Sequence, residues 1–280
     1  MDTEVCARFW VKSIPKSGNS PEQNEDAYFS HPKKGQAGTK RGRKLAFAVA
    51  DGASEGFRTG EWASLLARAF YSQALQKQFS WKKFVSQARG SWHDHETGYV
   101  QVRPREGRPL RWYEEALIQA GACAALLGLV LRAGQEPRRG TWEAFAVGDC
   151  CLFQVRGDRL LSSFPLQSSE QFSNSPSLIC SKDSPGVLEP VPERIRGSWQ
   201  AGDCFFLLTD ALAAWFLREC EAGAKPWAEL KQPAKAKDDK EFQRWVDSLR
   251  AKGLLRNDDC TVTVIELKQE KPARGNALSR

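Results

Sequence analysis

The sequence predicts an α+β sandwich in which antiparallel sheets form the centre and helices cover the outside. Strand-like segments dominate the chain, and the long helical segments fall into two blocks. A regular alternation of strand and helix would favour a parallel sheet, so its absence favours antiparallel pairing. The chain has 280 residues, of which 41% are hydrophobic, and this is enough for a sizeable core.

The chain is predicted to open with strands. Weak alternation over residues 5–12 indicates a first strand, and residues 27–30 indicate a short second one. The Gly-rich, basic stretch 33–44 is interpreted as a hairpin loop in solvent. Residues 45–50 are small and apolar, which predicts a strand that is buried on both faces.

Helices follow this buried strand. Apolar residues at helical spacing predict a helix over 60–79 and a second helix over 81–92. The stretch 93–110 is polar and basic and contains prolines and glycines, so it is predicted to be a loop. Residues 113–120 begin a third helix, which leads into a run of small residues over 121–128.

The second half of the chain returns to strands. An irregular segment over 163–186, rich in Ser and Pro, interrupts them and is interpreted as a flap. Helices are predicted over 211–221 and 241–252, the second of them amphipathic. Strands are predicted over 126–132, 142–147, 151–155, 159–162, part of 187–199, 203–209 and 261–267.

Composition excludes several classes of protein. The formal charge of +7 is mild, and no dense basic helix with interleaved aromatics suggests nucleic acid binding. No apolar run approaches the ~20 residues of a membrane span, and no signal peptide is predicted, because Asp2, Glu4 and Arg8 interrupt any apolar segment in the first residues. None of the eight cysteines forms a CxxC pair, so all are predicted to be reduced, buried thiols of a cytoplasmic protein.

Four short acidic segments stand where predicted strands begin or end. A carboxylate at the end of a buried strand is costly unless a cation neutralises it. Several such carboxylates that meet in space are what a hard divalent cation requires. The segments are Asn24-Glu25-Asp26, Asp51-Gly52, Thr209-Asp210 and Asn257-Asp258-Asp259.

The order of the acidic segments resembles the metal-dependent Ser/Thr protein phosphatases of the protein phosphatase 2C (PPM) family, and most of all its bacterial branch. The resemblance covers residues 5–267, which implies one domain over 1–267 and a polar, disordered tail over 268–280. It rests on five motifs in order: Asn24-Glu25-Asp26, Val49-Ala50-Asp51-Gly52, Gly148-Asp149, Leu207-Leu208-Thr209-Asp210 and Asp258-Asp259-Cys260-Thr261.

The resemblance implies a four-layer αββα sandwich that holds two Mn²⁺ or Mg²⁺ ions at one end. By this likeness Asp51 bridges both ions and is catalytic. The Gly52 carbonyl and Glu25 belong to one ion, and Asp210 and Asp258 belong to the other. These ligands are all oxygen atoms, which suits hard cations that keep several waters.

The resemblance also implies the reaction. A water that bridges the two ions attacks the phosphorus of phosphoserine or phosphothreonine directly, and no covalent intermediate forms. Asp26 is implied as a second catalytic carboxylate, which holds a water of the site. Asp149, together with Asp210, is implied to hold a third, weaker ion.

The chain departs from the family pattern at several positions. Ala53 replaces a His that acts as a general acid in some members, and Ala211 and Ala214 weaken the case for the third ion. Family members often bind the substrate phosphate with an Arg upstream of the acidic pair. Only Lys12 and Lys16 are offered here, and the sequence does not choose between them, so the substrate-binding residue is unknown.

Three functions are compatible with these observations. The first is a phosphatase that acts on phosphorylated protein, paired with a Ser/Thr kinase of the same bacterial signalling pathway. The second is a catalytically weak family member that serves as a metal- or phosphoprotein-binding module. The third is an interaction domain in which the acidic residues only cap turns and helices, as Asp and Asn often do.

Overall fold

The computed structural model describes residues 3–30, 37–173, 175–183 and 189–268. Within these ranges, twelve strands form two antiparallel sheets, and the helices lie on their outer faces. The predicted αββα sandwich is confirmed. No helix in the described ranges is both long and apolar enough to cross a membrane.

In chain order the strands are β1 (Val5–Ile14), β2 (Asp26–Phe29), β3 (Ala37–Gly42), β4 (Lys44–Gly52), β5 (Cys123–Ala133), β6 (Arg139–Val147), β7 (Cys151–Arg156), β8 (Arg159–Phe164), β9 (Ile179–Cys180), β10 (Glu193–Gln200), β11 (Cys204–Leu208) and β12 (Cys260–Leu267). The α-helices are α1 (Thr59–Ala74), α2 (Trp81–Arg105), α3 (Trp112–Ala120), α4 (Asp210–Glu221), α5 (Pro226–Lys235) and α6 (Asp239–Ala251).

Each sheet has its own strand order. The first sheet runs β3–β1–β12–β11–β7–β8, and the second runs β10–β6–β5–β4–β2, with β9 paired to the start of β5. Side chains alternate between the two faces of each strand, so one face of every central strand meets the opposite sheet and the other meets helices.

Three apolar layers hold the sandwich together. The layer between the sheets includes Phe47 and Phe205. Helices α1 and α2 cover the second sheet with Trp62 and Phe70. Helices α4, α5 and α6 cover the first sheet, where the rings of Phe153 and Phe216 stack at 4.1 Å. Full burial of one such side chain stabilises the fold by about 1.5–3 kcal/mol.

Three predictions of secondary structure are wrong. The stretch 93–110 continues α2 as far as Arg105, because Trp92 and Tyr99 give it a face that packs on α1 and its preceding turn. Helix α5 is absent from the prediction, although Leu230 gives it a buried face. The basic stretch 33–44 contains strand β3, which pairs with β1; residues 31–36 lie outside the described residues.

The flap predicted over 163–186 is mostly irregular. It contains a 3-10 turn at Ser169–Gln171 and the two-residue strand β9. Residues 174 and 184–186 lie outside the described residues, as does the predicted tail from residue 269 onward.

The prediction that all eight cysteines are reduced is wrong for one pair. Cys123 and Cys180 form a disulfide between β5 and β9, where the strand register places them directly opposite each other. The two are 57 positions apart in sequence, so no local spacing motif could reveal the pair. The other six cysteines are free thiols.

Candidate active site

One end of the sandwich collects the predicted acidic residues in a single cleft of about 410 Å³. Strand β4 ends there, and β12 begins there. Helix α4 begins there after β11, and the turn between β6 and β7 lies there too. The predicted metal-binding residues that line the cleft are Glu25, Asp51, Gly52, Asp149, Asp210 and Asp258.

Strand pairing brings these distant residues together. Strands β2 and β4 are antiparallel with Asp26 directly opposite Asp51, so the two carboxylates are cross-strand neighbours. Strand β11 lies between β7 and β12, so the turn that carries Asp149 and the loop that carries Asp258 meet the start of α4 at Asp210. The convergence that the sequence predicts is therefore present in the structure.

Asp26 lies on β2 directly opposite Asp51 and is buried, with 9% of its surface exposed; it is not one of the described residues that line the cleft. Its Oδ2 accepts a hydrogen bond of 2.8 Å from the hydroxyl of Thr209. Its Oδ1 is buried and has no hydrogen-bond partner among the described residues. A buried carboxylate oxygen without a partner is costly, which indicates a place for a water or a cation.

Burial and mutual repulsion make the cluster unfavourable as five free carboxylates. Burial raises the pKa of Asp51 well above its ordinary value, and the charges of Asp26, Asp210, Asp149 and Asp258 raise it further. Burial, followed by the charge of Asp210, raises the pKa of Asp149 to about 6. A bound cation would reverse this repulsion, because it favours the ionised form of each group.

Glu25 is held in place by two hydroxyl groups. Thr59 Oγ1 donates to one carboxylate oxygen at 2.5 Å, and Ser54 Oγ donates to the other at 2.6 Å. The turn that follows Gly52 therefore supplies Ser54, and the start of α1 supplies Thr59. Gly52 donates its backbone N–H to the Glu25 carbonyl at 3.2 Å, which sets these two residues side by side.

Arg256 is a residue of the cleft that the sequence reasoning missed. Its guanidinium forms ion pairs with Asp210 and, at 3.0 Å, with Asp258, and 53% of its side chain is exposed. No pattern marks it in the sequence, because a single Arg two positions before Asp258 is unremarkable. Its guanidinium therefore brings a group with five N–H donors next to the acidic cluster.

The structure separates the two lysines between which the sequence could not choose. Lys12 is buried and pairs with Asp239 at 2.5 Å. Lys16 Nζ lies 3.9 Å from a carboxylate oxygen of Glu25, beside the cleft. Asp259 accepts hydrogen bonds from the backbone N–H groups of Lys16 and Glu25, both at 2.7 Å, so it ties the two loops together.

The residues present fit hard divalent cations such as Mg²⁺ and Mn²⁺ better than softer ions such as Zn²⁺ or Cu²⁺, which prefer imidazole or thiolate ligands. The described residues that line the cleft offer carboxylate and carbonyl oxygens, and none of them is His or Cys. Among the described residues, no group of three or more His, Cys, Asp or Glu is arranged so that it could hold a metal ion. Mg²⁺ generally takes only one or two carboxylates from a protein and keeps several waters.

The flap forms one wall of the cleft. Ser173, Ser175 and Pro176 line it from that side. The disulfide anchors the end of the flap, because Cys123 starts β5 and its carbonyl accepts from the Ala53 N–H at 2.9 Å.

Comparison with known families gives one match over most of the chain. The family described as Protein phosphatase 2C matches residues 19–257, a range that contains the first four of the five motifs and ends one residue before the fifth. No curated protein matches the chain in sequence.

Solved structures share the fold at low sequence identity. The Mycobacterium tuberculosis serine/threonine phosphatase PstP/Ppp is 16% identical with a TM-score of 0.54, over 94% of this chain and 100% of the other. The PstP catalytic domain in complex with two manganese ions is 15% identical with a TM-score of 0.51, over 95% and 100%. The PP2C phosphatase domain of Bacillus subtilis SpoIIE, solved with a fragment of its regulatory domain, is 17% identical with a TM-score of 0.51, over 97% of this chain and 66% of the other.

Proposed function

The chain belongs to the protein phosphatase 2C family, and from that premise we propose that it hydrolyses phosphoserine and phosphothreonine in proteins with the help of bound divalent cations. One observation carries the proposal: carboxylates from both sheets converge on a single cleft in which their charges repel each other. A turn cap needs no such neighbours, so the cluster argues against acidic residues that serve only as caps.

The cofactors in this proposal are two Mn²⁺ or Mg²⁺ ions. When bound, such ions would supply a water of lowered pKa as the nucleophile for direct attack on phosphorus and would screen the charge on the phosphoryl oxygens. The similar PstP domain was solved with two manganese ions, which supports the number. A third ion beside Asp149 and Asp210 is a further part of the proposal.

Each residue of the cleft has a proposed task. Asp51 would take part in both halves of the site, because it is close enough to Asp149, Asp210 and Asp258 for their charges to raise its pKa. Glu25 and the Gly52 carbonyl would hold one ion, and Asp210 and Asp258 would hold the other. Thr59 and Ser54 keep the Glu25 carboxylate in one orientation, which limits the reorganisation needed on binding.

Asp26 would accept a hydrogen bond from a water molecule and orient it. Its Oδ1 is buried and free of a protein partner, while Thr209 fixes the other oxygen at 2.8 Å. An acceptor held in this way can take a hydrogen bond from a water in the cleft and orient it.

Arg256 would bind the substrate phosphate, because its guanidinium already lies over the cleft and matches phosphate geometry.

A Mn²⁺-dependent assay on a phosphothreonine peptide tests this function. Wild-type protein should release phosphate only with the ion, and Asp210→Ala should abolish release. Asp94→Ala removes an exposed acid on α2 and should leave the rate unchanged. Metal binding without any turnover in the wild type would instead identify a metal- or phosphoprotein-binding module, and unchanged activity in Asp210→Ala would refute the assignment of the site.

The biological setting stays a prediction from the family. It comprises a phosphorylated protein as substrate, a Ser/Thr kinase of the same pathway, and a signalling role in the bacterial cytoplasm. The reaction proposed for the cleft does not depend on this biological setting.

A further inference from the structure

A second cleft, here called the β6–β10 cleft, lies on the outer face of the second sheet. Its volume is about 570 Å³, and it is lined by β5, β6, β10 and the segment that joins α1 to α2. In the strand register, Glu143 lies opposite Val130, and Val130 lies opposite Ala46. Ala46 is five residues before Asp51 on β4, which puts the two clefts about 17 Å apart along the strand.

The helix layer stops at the border of this cleft. Phe79 packs against Phe145 with ring centroids 4.9 Å apart, and Trp81 continues the aromatic wall. Beyond Phe145 the outer face of the sheet carries charged side chains instead of apolar ones. The cleft therefore has an aromatic wall on one side and a charged floor.

The floor is built around one buried carboxylate. The Glu143 side chain is 6% exposed and accepts hydrogen bonds from three arginines. Arg196 donates from Nε at 2.9 Å, Arg132 donates from Nη1 at 3.1 Å, and Arg194 donates from Nε. Three positive charges against one negative leave a net charge of +2 (3 − 1) in the cleft.

This excess of positive charge is larger than a structural ion pair with Glu143 requires. One guanidinium is enough to neutralise Glu143, and each further one repels the others. Lys44 lies opposite Arg132 in the register, and burial together with the charge of Arg132 lowers the pKa of Lys44. Charges on an edge strand can discourage unwanted strand pairing, but these charges converge on one point instead of spreading along β10.

The arginines retain donors for a ligand. Each guanidinium has five N–H groups, and the side chains of Arg132, Arg194 and Arg196 are 38%, 49% and 69% exposed. Because all three arginines donate hydrogen bonds to the Glu143 carboxylate, their guanidinium groups are already arranged around carboxylate oxygens. A volume within the ~300–1,000 Å³ of ligand pockets leaves room for several side chains.

We propose that the β6–β10 cleft docks an acidic segment of a partner protein, with Asp or Glu carboxylates on Arg194 and Arg196 and an apolar side chain against Phe79 and Trp81. A peptide fits better than a nucleic acid, because the cations form one compact group and not a track that could follow a phosphate backbone. The docking needs no turnover, so it goes beyond the proposed phosphatase activity.

Fluorescence anisotropy with a labelled peptide tests the proposal. The probe contains four Glu around one Phe, and a matched probe carries Gln in place of Glu. Arg196→Gln removes the most exposed of the three charges and should weaken binding at least about fivefold. Glu143→Gln keeps the shape of the side chain and raises the net charge of the cleft, so it should tighten binding.

The two variants change affinity in opposite directions, which a folding defect would not do. Lys240→Gln with Arg244→Gln removes two exposed charges from α6 and should leave affinity unchanged. Hydrolysis of p-nitrophenyl phosphate by Arg196→Gln should match the wild type. The proposal is overturned if the Glu probe does not bind or if the Gln probe binds equally well. It is also overturned if the α6 variant loses as much affinity as Arg196→Gln does. Tighter binding of a single-stranded oligonucleotide of equal charge would overturn it as well.

Discussion

At the scale of single residues, Gly52, the last residue of β4, fixes the spacing between this strand and the start of α1. A Cβ atom at this position would lie 2.8 Å from the carbonyl carbon of Thr59 and 3.0 Å from the carbonyl oxygen of Glu25. Both contacts are with backbone, which cannot rotate away as a flexible side chain can. The small residue therefore lets Glu25 and α1 approach the end of β4.

Gly52→Ala should lower the free energy of unfolding by about 1–3 kcal/mol, because the backbone of Thr59 or Glu25 must shift. Urea denaturation measures this change. Gly98→Ala, in the interior of α2, adds a methyl group where nothing lies within 4 Å. It should stabilise the protein by about 0.5–1 kcal/mol. Equal effects of the two substitutions would contradict the close approach at Gly52.

Arg256→Ala should raise KM for a phosphopeptide about tenfold, because a charge-assisted bond to phosphate is lost. The affinity for Mn²⁺ should stay the same or increase, because the variant lacks the cation that pairs with Asp210 and Asp258. Steady-state kinetics at saturating Mn²⁺ separate the two effects. Arg244→Ala on α6 is the control; if Arg256→Ala leaves KM at the wild-type value, Arg256 does not bind substrate.

The sequence could identify the acidic half of the candidate site but not the rest. Carboxylates beside apolar runs stand out because burial of charge needs a reason. Ser54 and Thr59 support Glu25 through contacts that only the folded turn creates. Arg256 and Lys16 were equally hard to find, because a basic side chain reaches a site from many backbone positions.

At the scale of elements, β3 carries an unusual buried lysine. Lys40 is 6% exposed, and its Nζ lies over the rings of Tyr71 and Phe47 at 4.4 and 4.9 Å. Its hydrogen bonds to the Ala46 carbonyl and the Tyr71 hydroxyl are long, at 3.4 Å each. Burial lowers the pKa of Lys40 from 10.5 to about 7.

This shift makes stability depend on pH. Between pH 7 and 10.5 the unfolded chain holds a proton on Lys40 that the folded chain has lost, so stability rises with pH across this window. Lys40→Met should therefore be more stable than wild type near pH 7, and the difference should shrink as the pH approaches 10.5. Urea denaturation over the window measures it. A constant difference would contradict the shift, and Lys237→Met, at an exposed position, controls for loss of charge.

The disulfide gives β9 and the flap a covalent anchor. In the chain-entropy account, closing a loop of 57 residues stabilises the fold by about 4 kcal/mol. Cys180→Ser should lower the free energy of unfolding by that order in oxidised protein and have little effect in reduced protein. Alkylation of denatured, unreduced wild type should modify six cysteines; modification of all eight would show that the bond does not form.

Secondary structure was predictable where one chemical pattern dominated. Strand β4 and helix α6 follow plain alternation and amphipathicity, and both were predicted. The second half of α2 was not, because only Trp92, Glu96 and a few aromatic neighbours mark its buried face among many polar residues. Helix α5 has prolines at its first position and in its last turn, where they are tolerated yet suggest a loop.

At the scale of the whole molecule, the strand topology of the sandwich brings the acidic residues together at one end. Antiparallel pairing returns the chain to the same end at every second strand terminus, so residues from 25 to 258 can share one cleft. The sheet order and the pairing of β9 depend on contacts between distant segments, which no local pattern records. The fold class could therefore be predicted from sequence, while the strand order could not.

The β6–β10 cleft lies on the outer face of the second sheet, whereas the candidate active site lies at one end of both sheets. If both assignments hold, a substrate would be bound through an acidic segment at one place and dephosphorylated at another. Such two-point binding raises the effective concentration of the phosphorylated residue at the active site.

Diffraction from crystals grown with Mn²⁺, recorded at the manganese absorption edge, would show directly whether the carboxylates of the cleft hold ions. We expect two anomalous peaks, one on each side of the Asp51 carboxylate, with Glu25 and the Gly52 carbonyl near one and Asp210 and Asp258 near the other. Carboxylates that point apart with no anomalous peak between them would contradict it.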